Sequence, residues 1–437
     1  MDRFFKLDER GSSLGQEMRA GVTTFLAMAY IIAVNPSLLQ AAGIPITAAV
    51  TATCIGAGVM TIAMGLVSNR PLACASGMGI NAIFAFTLVE IAGGDWHTAS
   101  AVILIEGVAI LLLVLCGLRE AIMDAIPVSL RHAISVGLGL FIAMIGLKDG
   151  GIIVADESTM VALGEVTSPT FVMGVISIVA TVILFSLKVP GSLLLGILIS
   201  VAAGIPLGVT QAPSGIVSGL DFSSFGAPFL ADADGTMGIM KALMSPTLLI
   251  FAFSLMMSDF FDTMGTAMAV AKQGDFLNED GSVEDIRQIL VVDSAAAAVG
   301  GLIGSSSLTT FVESASGAAD GGRTGITSVS AGVLFILAAF FSPLIAVING
   351  AATCGALVFV GFLMMSEVAE IDWNDLLDGF PAFLIAAGIP MTYSISNGIG
   401  FGFLAYIVVA AVTGQIKKVK PLMWVAGAAF LVYFLIA

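Results

Sequence analysis

Charged residues are scarce in this chain, and the common signatures of catalytic and metal sites are missing. Charged side chains make up 11% of the 437 residues, whereas soluble domains carry about 25%. There are two histidines and four cysteines, and no Walker A, HExxH, nucleophile-elbow or CxxC motif. We therefore expect no enzyme, no cofactor and no metal site. The net charge of −15 also argues against a nucleic-acid partner.

Long apolar runs take the place of the missing charge. Hydrophobic residues amount to 58% of the chain, and each run is close to the ~20 residues that cross a bilayer as a helix. The pattern predicts an all-α, multi-pass protein in a lipid bilayer, with about fourteen spans in two inverted repeats of seven. The predicted segments are the first repeat at 1–209, an external linker at 210–245, the second repeat at 246–414 and a C-terminal apolar segment at 415–437. Whether 421–437 crosses the membrane or lies along its surface stays open.

The basic residues are distributed unequally over the predicted loops. With the N-terminus placed inside, all of the 16 lysines and arginines except Lys148 and Lys241 fall on the inner side. This bias is the positive-inside pattern of membrane proteins. It predicts a cytoplasmic N-terminus, and the short loops suit the inner (plasma) membrane of a bacterial cell.

Two polar stretches that contain glycine interrupt the apolar pattern. Ser305–Arg323 holds five serines, two threonines, two acids and three glycines. Such a break at membrane depth is tolerated only where the backbone is buried in protein or lines a cavity, and in inverted-repeat transporters it forms the substrate site. Its counterpart is Ser76–Ala82, where Ser76 can cap a short helix and Asn81 offers a donor and an acceptor. Alternatively, Asn81 only bonds to a neighbouring helix.

Five acidic side chains fall inside predicted spans: Glu106, Asp259, Asp262, Asp293 and Glu313. No basic residue lies deep in a span to pair with them, which favours proton binding but does not exclude sodium. Asp259 and Asp262 share one helical face. We expect Asp259 at the site and Asp262 in a structural role, although the roles could be reversed. Asp293 and Glu106 are expected to bond within the helical core.

Glu313 stands three residues after Thr310, which is the spacing of a capping box. One interpretation is that Glu313 only caps its own short helix. The other is that the helix start and the Glu313 carboxylate face a ligand, since a carboxylate can accept two adjacent N–H donors of a flat heterocycle. Thr24 in the first span is a further candidate. Phe260 could stack on such a ring, although packing is the commoner role of phenylalanine.

Four motifs, in this order, resemble those of the AzgA-like purine permeases. This family belongs to the nucleobase–cation symporter group and is related to the nucleobase/ascorbate transporters. The resemblance covers essentially the whole chain. Its motifs are RAGVTTF at 19–25 with Asn35-Pro36, GMGINA at 77–82, SDFFDTMG at 258–265, and TTFVESA at 309–315 with GGRTG at 321–325.

The resemblance implies the uracil-permease fold. A core domain would comprise residues 20–118 and 246–342, and a gate domain residues 129–209 and 344–414. Spans 3 and 10 would each hold a short strand before a half-helix. The family usually has proline where this chain has Ser76, so the turn is expected to be less rigid. A homodimer is suggested by the resemblance alone.

The resemblance also implies proton-coupled uptake of a purine base, either adenine or guanine and hypoxanthine. By motif match, Asp259 and Glu313 would bind the purine and Asn81 would lie at the site. The complete set of substrate-site candidates is Asp259, Glu313, Asn81, Thr24, Phe260 and Thr310. The candidates for the coupling proton are Glu313, Asp259 and Asp262.

Residues and resemblance together predict a proton–purine symporter with elevator-like movement of the core against the gate. The alternative is an anion transporter of the sulfate-permease type with the same fold. An anion site should lack nearby acids, so Asp259 and Glu313 argue against it. A membrane receptor or scaffold would need larger soluble segments than these short loops provide.

Overall fold

The protein is described from a computed structural model that covers residues 2–117, 127–213, 215–231, 235–278 and 282–436. Within the helix Pro246–Gly274, several side chains, including those of Phe260 and Asp262, lie outside the described set. The described chain is mostly helical, and eight helices are long and apolar enough to cross a membrane. The prediction of a helical, multi-pass membrane protein is confirmed, and the number of fourteen spans stays a prediction.

The first half of the chain begins with a one-turn helix, Asp2–Phe5. Its longer helices are α1 Leu14–Met28, α2 Ile31–Ala41, α3 Ile46–Ser68, α4 Met78–Ile83, α5 Trp96–Leu115, α6 Val128–Asp149, α7 Pro169–Ser186 and α8 Ser192–Gly204. The strand β1, Cys74–Ser76, precedes α4, which continues through a π-helical turn Phe84–Leu88 into Val89–Ile91. A hairpin of β2 Ile153–Asp156 and β3 Met160–Leu163 follows α6.

The second half ends with an additional helix. Its helices are α9 Gly238–Met244, α10 Pro246–Gly274, α11 Ile286–Ile303, α12 Ser314–Ala319, α13 Gly325–Ala338, α14 Gly350–Met364, α15 Leu376–Met391, α16 Ile395–Val412 and α17 Pro421–Ile436. The strand β4, Leu308–Thr310, precedes α12. Single turns complete this half at Ala339–Phe341, Ser342–Ile345, Met365–Glu370 and Ile416–Lys418.

Many of the long helices begin at a side chain that accepts from the first turn. Asp95, for example, accepts from the N–H groups of His97 and Thr98 before α5. Such caps satisfy donors that have no partner within the helix. The other capping residues are Ser13, Ser168, Ser245, Thr324, Asn349, Asp375 and Ser394. The short helices α4 and α12 differ, because Gly77 and Glu313 before them make no such side-chain bond.

The helices pack in two groups. In the first group α3 packs against α2, α11 and α13, and α5 packs against α10 and α11. In the second group α14 packs against α6, α7 and α8, and α15 packs against α6 and α16. Smaller contacts join the groups, such as those of α4 with α6 and of α2 with α14. One lies at Phe86, whose ring meets Tyr393 edge-on at 6.0 Å between centroids.

The strands β1 and β4 pair across the first group although they are far apart in sequence. They run antiparallel, with Cys74 opposite Thr310 and Ser76 opposite Leu308. All six residues are buried. The N–H of Gly77 also donates to the Ser307 carbonyl at 3.0 Å. Pairing of this kind satisfies backbone groups that lipid could not.

Described residues of the predicted linker 210–245 pack against the first group. The N–H of Gly226 donates to the Leu302 carbonyl at 2.8 Å, and the Ser224 hydroxyl to the Ile303 carbonyl at 2.8 Å. The segment also contains α9 and the turn Ala227–Phe229. It therefore covers one end of α11.

The C-terminal helix α17 lies antiparallel against α16. Phe434 stacks on Phe401 with 5.2 Å between ring centroids, and Phe430 meets Phe403 at 5.6 Å. Gly427 of α17 faces Ile407 of α16, which continues the antiparallel contact. The helix thus runs back alongside α16, and whether it crosses the membrane stays open.

We expect Gly325→Ala to destabilise the first group. A Cβ atom on Gly325 would lie 1.8 Å from the Gly65 carbonyl oxygen, so α3 and α13 would have to move apart. Overpacking of this kind costs about 1–3 kcal/mol. The unfolding temperature of the protein purified in detergent should fall. The control is Gly15→Ala in α1, where a Cβ meets nothing within 4 Å. Equal unfolding temperatures for both variants would show that the crossing is not tight.

Candidate functional site

Asn35 on α2 forms hydrogen bonds that link β1 to α3. Its Nδ2 donates to the Thr53 hydroxyl at 2.8 Å and to the Ser76 hydroxyl at 3.0 Å. The Ser76 hydroxyl in turn donates to the Ser305 carbonyl at 2.8 Å. All of these groups are buried. The expectation that Ser76 caps α4 is wrong, because the hydroxyl bonds across to the other broken segment and Gly77 is the N-cap residue.

Glu313 does not cap α12 either. Its Oε1 accepts from the Tyr30 hydroxyl at 2.7 Å, and the structure shows no side-chain cap bond at that helix. Glu313 as a whole is half-buried. The capping interpretation is therefore wrong, because the carboxylate bonds to Tyr30 instead of to the start of α12. Tyr30 lies in the short break between α1 and α2.

Tyr30 and Asn35 contact the predicted site, and the sequence motifs alone assign neither of them a role. The signal for Tyr30 was available, since it is one of only four tyrosines and stands in the first apolar span. A tyrosine in an apolar setting needs a partner for its hydroxyl. The sequence alone does not say that this partner is 283 residues away.

Asp293 on α11 holds β4 in place. Its carboxylate accepts from the Thr263 hydroxyl at 2.7 Å, from the Thr310 N–H at 2.7 Å and from the Thr309 hydroxyl at 3.2 Å. Three donors satisfy a buried carboxylate well. The acid therefore links α10, α11 and the strand, in keeping with a bond within the helical core.

Asp259 lies on α10 and is fully buried. Its Oδ2 accepts from the Ser307 hydroxyl at 3.4 Å. Ser307 directly precedes β4. The structure thus brings Asp259 to the broken segment from one side. The side chains of Phe260 and Asp262 lie outside the described residues.

Three of the predicted site residues, Asn81, Thr24 and Thr310, carry a buried polar atom without a hydrogen-bond partner in the described part of the chain. The Asn81 amide donates to the Ser76 carbonyl at 3.2 Å, but its Oδ1 receives no donor. The Thr24 hydroxyl has no partner either, and it is pressed against Gly317, where a Cβ would lie 2.0 Å away. Unsatisfied buried groups are costly, and a ligand is one way to satisfy them.

The predicted site residues lie around the paired strands β1 and β4, and most of them are buried in this conformation. Asp259 and Asn81 are fully buried, and Thr24 and Thr310 are 1% exposed. Of the described candidates, Glu313 alone is half-buried and the others are buried. A ligand could therefore reach the inner residues only after a change of conformation. Among the described residues, no group of three or more His, Cys, Asp or Glu is placed to hold a metal ion.

A charged cavity of about 740 Å³ lies at the ends of α3, α10 and α11. None of the predicted site residues that the structure describes lines this cavity. Arg70 forms ion pairs there with Glu284 and Asp285, the latter at 2.8 Å between Nη2 and Oδ2. Arg323 lines the same cavity. Because Arg70 already has acidic partners there, we assign the cavity a structural role.

The sequence matches the profile of a family described as Permease family (Xan_ur_permease) over residues 15–401. The chain belongs to this permease family. The adenine permease AdeP of Escherichia coli strain K12 is 36% identical over 437 residues, which cover 99% of this chain and 95% of the relative. The guanine/hypoxanthine permease PbuO of Bacillus subtilis strain 168 is 38% identical over 442 residues, with 99% and 100% covered. The resemblance to purine permeases is confirmed, and the chain is an integral membrane transporter.

The fold is similar to that of a bicarbonate transporter of known structure. The transmembrane domain of the cyanobacterial bicarbonate transporter BicA matches with a TM-score of 0.61 at 15% identity, and it covers 93% of this chain and 97% of its own. Identity at this level shows a shared fold alone.

We expect Asn35→Leu to weaken the attachment of β1 to α2 and α3. Leucine has a similar size but no donor, so the hydroxyl oxygens of Thr53 and Ser76 lose the hydrogen bonds that they accept from Asn35. Their own bonds to the Ala49 and Ser305 carbonyls remain. Each lost hydrogen bond costs about 0.5–1.5 kcal/mol net. The unfolding temperature of the purified protein should fall clearly. The matched control is Asn374→Leu at an exposed asparagine. Similar stability of both variants would contradict the fastening role of Asn35.

Proposed function

We propose that this permease takes up purine nucleobases together with protons. The observation that carries the proposal is the Glu313 carboxylate, which belongs to a half-buried residue three positions after β4 and accepts a hydrogen bond from the Tyr30 hydroxyl. A carboxylate has acceptor sites for several donors, so Glu313 keeps room for the N–H groups at the edge of a purine. The names of the relatives, adenine permease and guanine/hypoxanthine permease, support this substrate class.

We place the purine between Glu313 on one side and Asn81 on the other. The free Oδ1 of Asn81 would accept an N–H of the base, and the Thr24 hydroxyl could bond a ring nitrogen or a carbonyl group. Asp259 and Thr310 complete the polar lining, and Phe260 is proposed to stack on the ring. Because these elements close over the site, the base would lose most of its water on binding.

We propose that protons are coupled through the same set of acids. Glu313, Asp259 and Asp262 are the candidates, since a carboxyl group within a span is more easily buried when it is neutral. A base bound to a proton-loaded site would cross without net buried charge. The charge of the site would therefore decide when the loaded or empty protein can change conformation.

We propose an elevator-like movement for transport. The two helix groups correspond to the core and gate domains, at residues 20–118 with 246–342 and 129–209 with 344–414. Fourteen spans in two inverted repeats, 1–209 and 246–414, would place the paired strands β1 and β4 near the middle of the membrane. The narrow contact of Phe86 with Tyr393 suits surfaces that slide past each other. We also keep the cytoplasmic N-terminus and the inner membrane as proposals, and a homodimer as an option.

The anion transporter remains the alternative with the same fold. A site for an anion would be repelled by the partly exposed Glu313 carboxylate unless it were protonated. The polar donors of Asn35 and of the strand N–H groups are also already used within the protein. These observations favour a neutral base with N–H donors.

We expect Glu313→Gln to abolish most purine uptake. The amide keeps the shape, but it loses a charged acceptor, and a hydrogen bond to a charged group contributes about 1.5–3 kcal/mol. The value of kcat/KM should therefore fall about tenfold or more. The measurement is uptake of radiolabelled adenine, guanine, hypoxanthine, xanthine and uracil by cells that lack their own permeases. Surface expression is measured in parallel.

The matched control for this uptake is Glu165→Gln at an exposed loop residue, which should behave like the wild type. Collapse of the proton gradient with a protonophore should prevent accumulation by the wild type. Uptake that survives Glu313→Gln would remove Glu313 from the site. Absence of uptake for every base would turn the proposal towards an anion cargo.

We expect Tyr30→Phe to weaken purine affinity without loss of the protein. The Tyr30 hydroxyl orients the Glu313 carboxylate, and a net hydrogen bond contributes about 0.5–1.5 kcal/mol. The KM should rise by a few-fold to about tenfold. Tyr406→Phe is the control, because Tyr406 is buried on α16 in the second group. A KM equal to that of the wild type would show that the orientation of Glu313 does not depend on Tyr30.

A further inference from the structure

Tyr393 is the centre of a contact between the two helix groups. It lies in the short connection between α15 and α16 of the second group. Its ring meets that of Phe86 from the first group at 6.0 Å between centroids, and that of Phe141 on α6 at 5.0 Å, both edge-on. The Nζ of Lys148 donates to the Tyr393 hydroxyl at 3.4 Å and lies 5.1 Å and 5.9 Å from the Tyr393 and Phe86 ring centroids. Phe86 thus meets a ring and a cation that both belong to the second group.

The backbone of Tyr393 has a conformation that usually belongs to glycine. The helix α15 ends at Met391, and the N–H of Tyr393 donates back to the Pro390 carbonyl at 3.3 Å. The N–H of Ser394 donates to the Ile389 carbonyl at 3.2 Å, which completes a Schellman motif. The left-handed residue of this motif is usually glycine, but here it is Tyr393, with φ at +51°. Such strain is found chiefly at functional sites.

The helix that carries Asn81 packs against α6 at two levels. Gly79 at its start faces Leu138, since a Cβ atom there would lie 3.2 Å from the Leu138 Cδ1. Phe86, about two turns later, belongs to the π-helical turn Phe84–Leu88 and reaches the Tyr393 cluster. Turns of this kind frequently occur at functional sites. One face of this helix therefore meets the second group both beside the purine site and further along.

In the proposed topology the Tyr393 cluster lies on the outer side of the purine site. The helix α6 runs outwards and carries Lys148 in its last turn. Leu138 stands ten residues earlier, which is about 15 Å deeper along the helix. Leu138, Phe141 and Lys148 recur at helical spacing on one face of α6. A purine that enters between the groups from outside would therefore meet the cluster before it reaches the level of Leu138.

We propose that Phe86, Tyr393 and Lys148 form an outer latch, which holds the two helix groups together on the outer side of the purine site in this conformation. The proposal rests on the proposed function, because it concerns the path of the purine to that site. Opening to the outside separates Phe86 from its two partners. An edge-on aromatic pair and a cation–π contact are individually small interactions, so the latch can release in each transport cycle.

The strain at Tyr393 fits this role. Glycine at this position would relieve the backbone, but Phe86 would then lose the ring that it contacts across the boundary. Because the contact is made only while the groups are together, it favours the closed conformation over the outward-open one. Its removal should shift the population towards the outward-open conformation by the free energy of the contact.

The experiment measures how fast a membrane-impermeant maleimide, added outside intact cells, labels the variant Leu138→Cys. Leu138 is 7% exposed in this conformation and becomes accessible from outside when the latch opens. All variants also carry Cys116→Ser, because Cys116 is an exposed native cysteine, and the same chain without Leu138→Cys gives the blank. We expect Phe86→Ala to raise the labelling rate about twofold to tenfold, as the strength of an aromatic pair implies. Tyr393→Gly should raise it in the same way.

The matched control is Phe383→Ala, at a phenylalanine of α15 that is 54% exposed, and it should leave the labelling rate unchanged. Equal rates in Phe86→Ala and Phe383→Ala would overturn the latch. An increase with Phe86→Ala that Tyr393→Gly does not reproduce would also overturn it, because the contact needs both rings. Labelling requires no purine. Faster labelling of Phe86→Ala in a protein that takes up no base would therefore support the latch and contradict the proposed substrate.

A further variant covers the case in which the ring substitutions do not fold. Lys148 is exposed, and Lys148→Met keeps both rings while it removes the cation and the donor to Tyr393. Loss of the cation–π contact should raise the labelling rate of Leu138→Cys about twofold to fivefold. A labelling rate that Lys148→Met leaves unchanged would remove Lys148 from the latch and overturn the proposal as stated.

Discussion

The buried pairing of β1 with β4 is the constraint on which the rest of the structure depends. Two broken segments can exist at membrane depth only when their backbone groups are satisfied within the protein. Asn35 completes the pairing from one side by its bonds to Ser76 and Thr53, and Asp293 from the other by accepting the Thr310 N–H. The positions of α2, α3 and α11 follow from these bonds. The short helices α4 and α12 can then begin within the protein, where a ligand can be bound.

The acids in the spans can be distinguished by the donors that each receives. Asp293 receives three and acts as an anchor, Glu313 receives one from Tyr30 and remains partly exposed, and Glu106 receives none from the described residues. An anchored carboxylate is stable as an anion, and a carboxyl group without donors is stable only when neutral. The same residue type therefore has three different sets of partners here, and only the tertiary structure distinguishes them. Composition alone treats all of these acids as equivalent.

The sequence predicted the breaks well, but it did not predict the partners of their side chains. The serines and glycines of Ser305–Arg323 can only belong to a buried break, because lipid would not tolerate them. The Thr310–Glu313 spacing, in contrast, is the same in a true capping box and here, where Tyr30 takes the carboxylate. Ser76 was expected to cap α4 because the Ser305 carbonyl, 229 residues away, could not be foreseen. Local spacing identifies candidate bonds, and the tertiary contacts decide which of them forms.

The fold is shared with the transmembrane domain of a bicarbonate transporter, and at 15% identity the likeness extends to the fold alone. Paired strands and short helices provide a dry place within the membrane, and this place has no chemical preference of its own. Side chains supply the preference. Here the Thr310 N–H is bonded to Asp293, the Glu313 carboxylate accepts from Tyr30, and Asn81 keeps an acceptor oxygen that no described residue satisfies. The proposed binding of a neutral base with N–H groups rests on these acceptors.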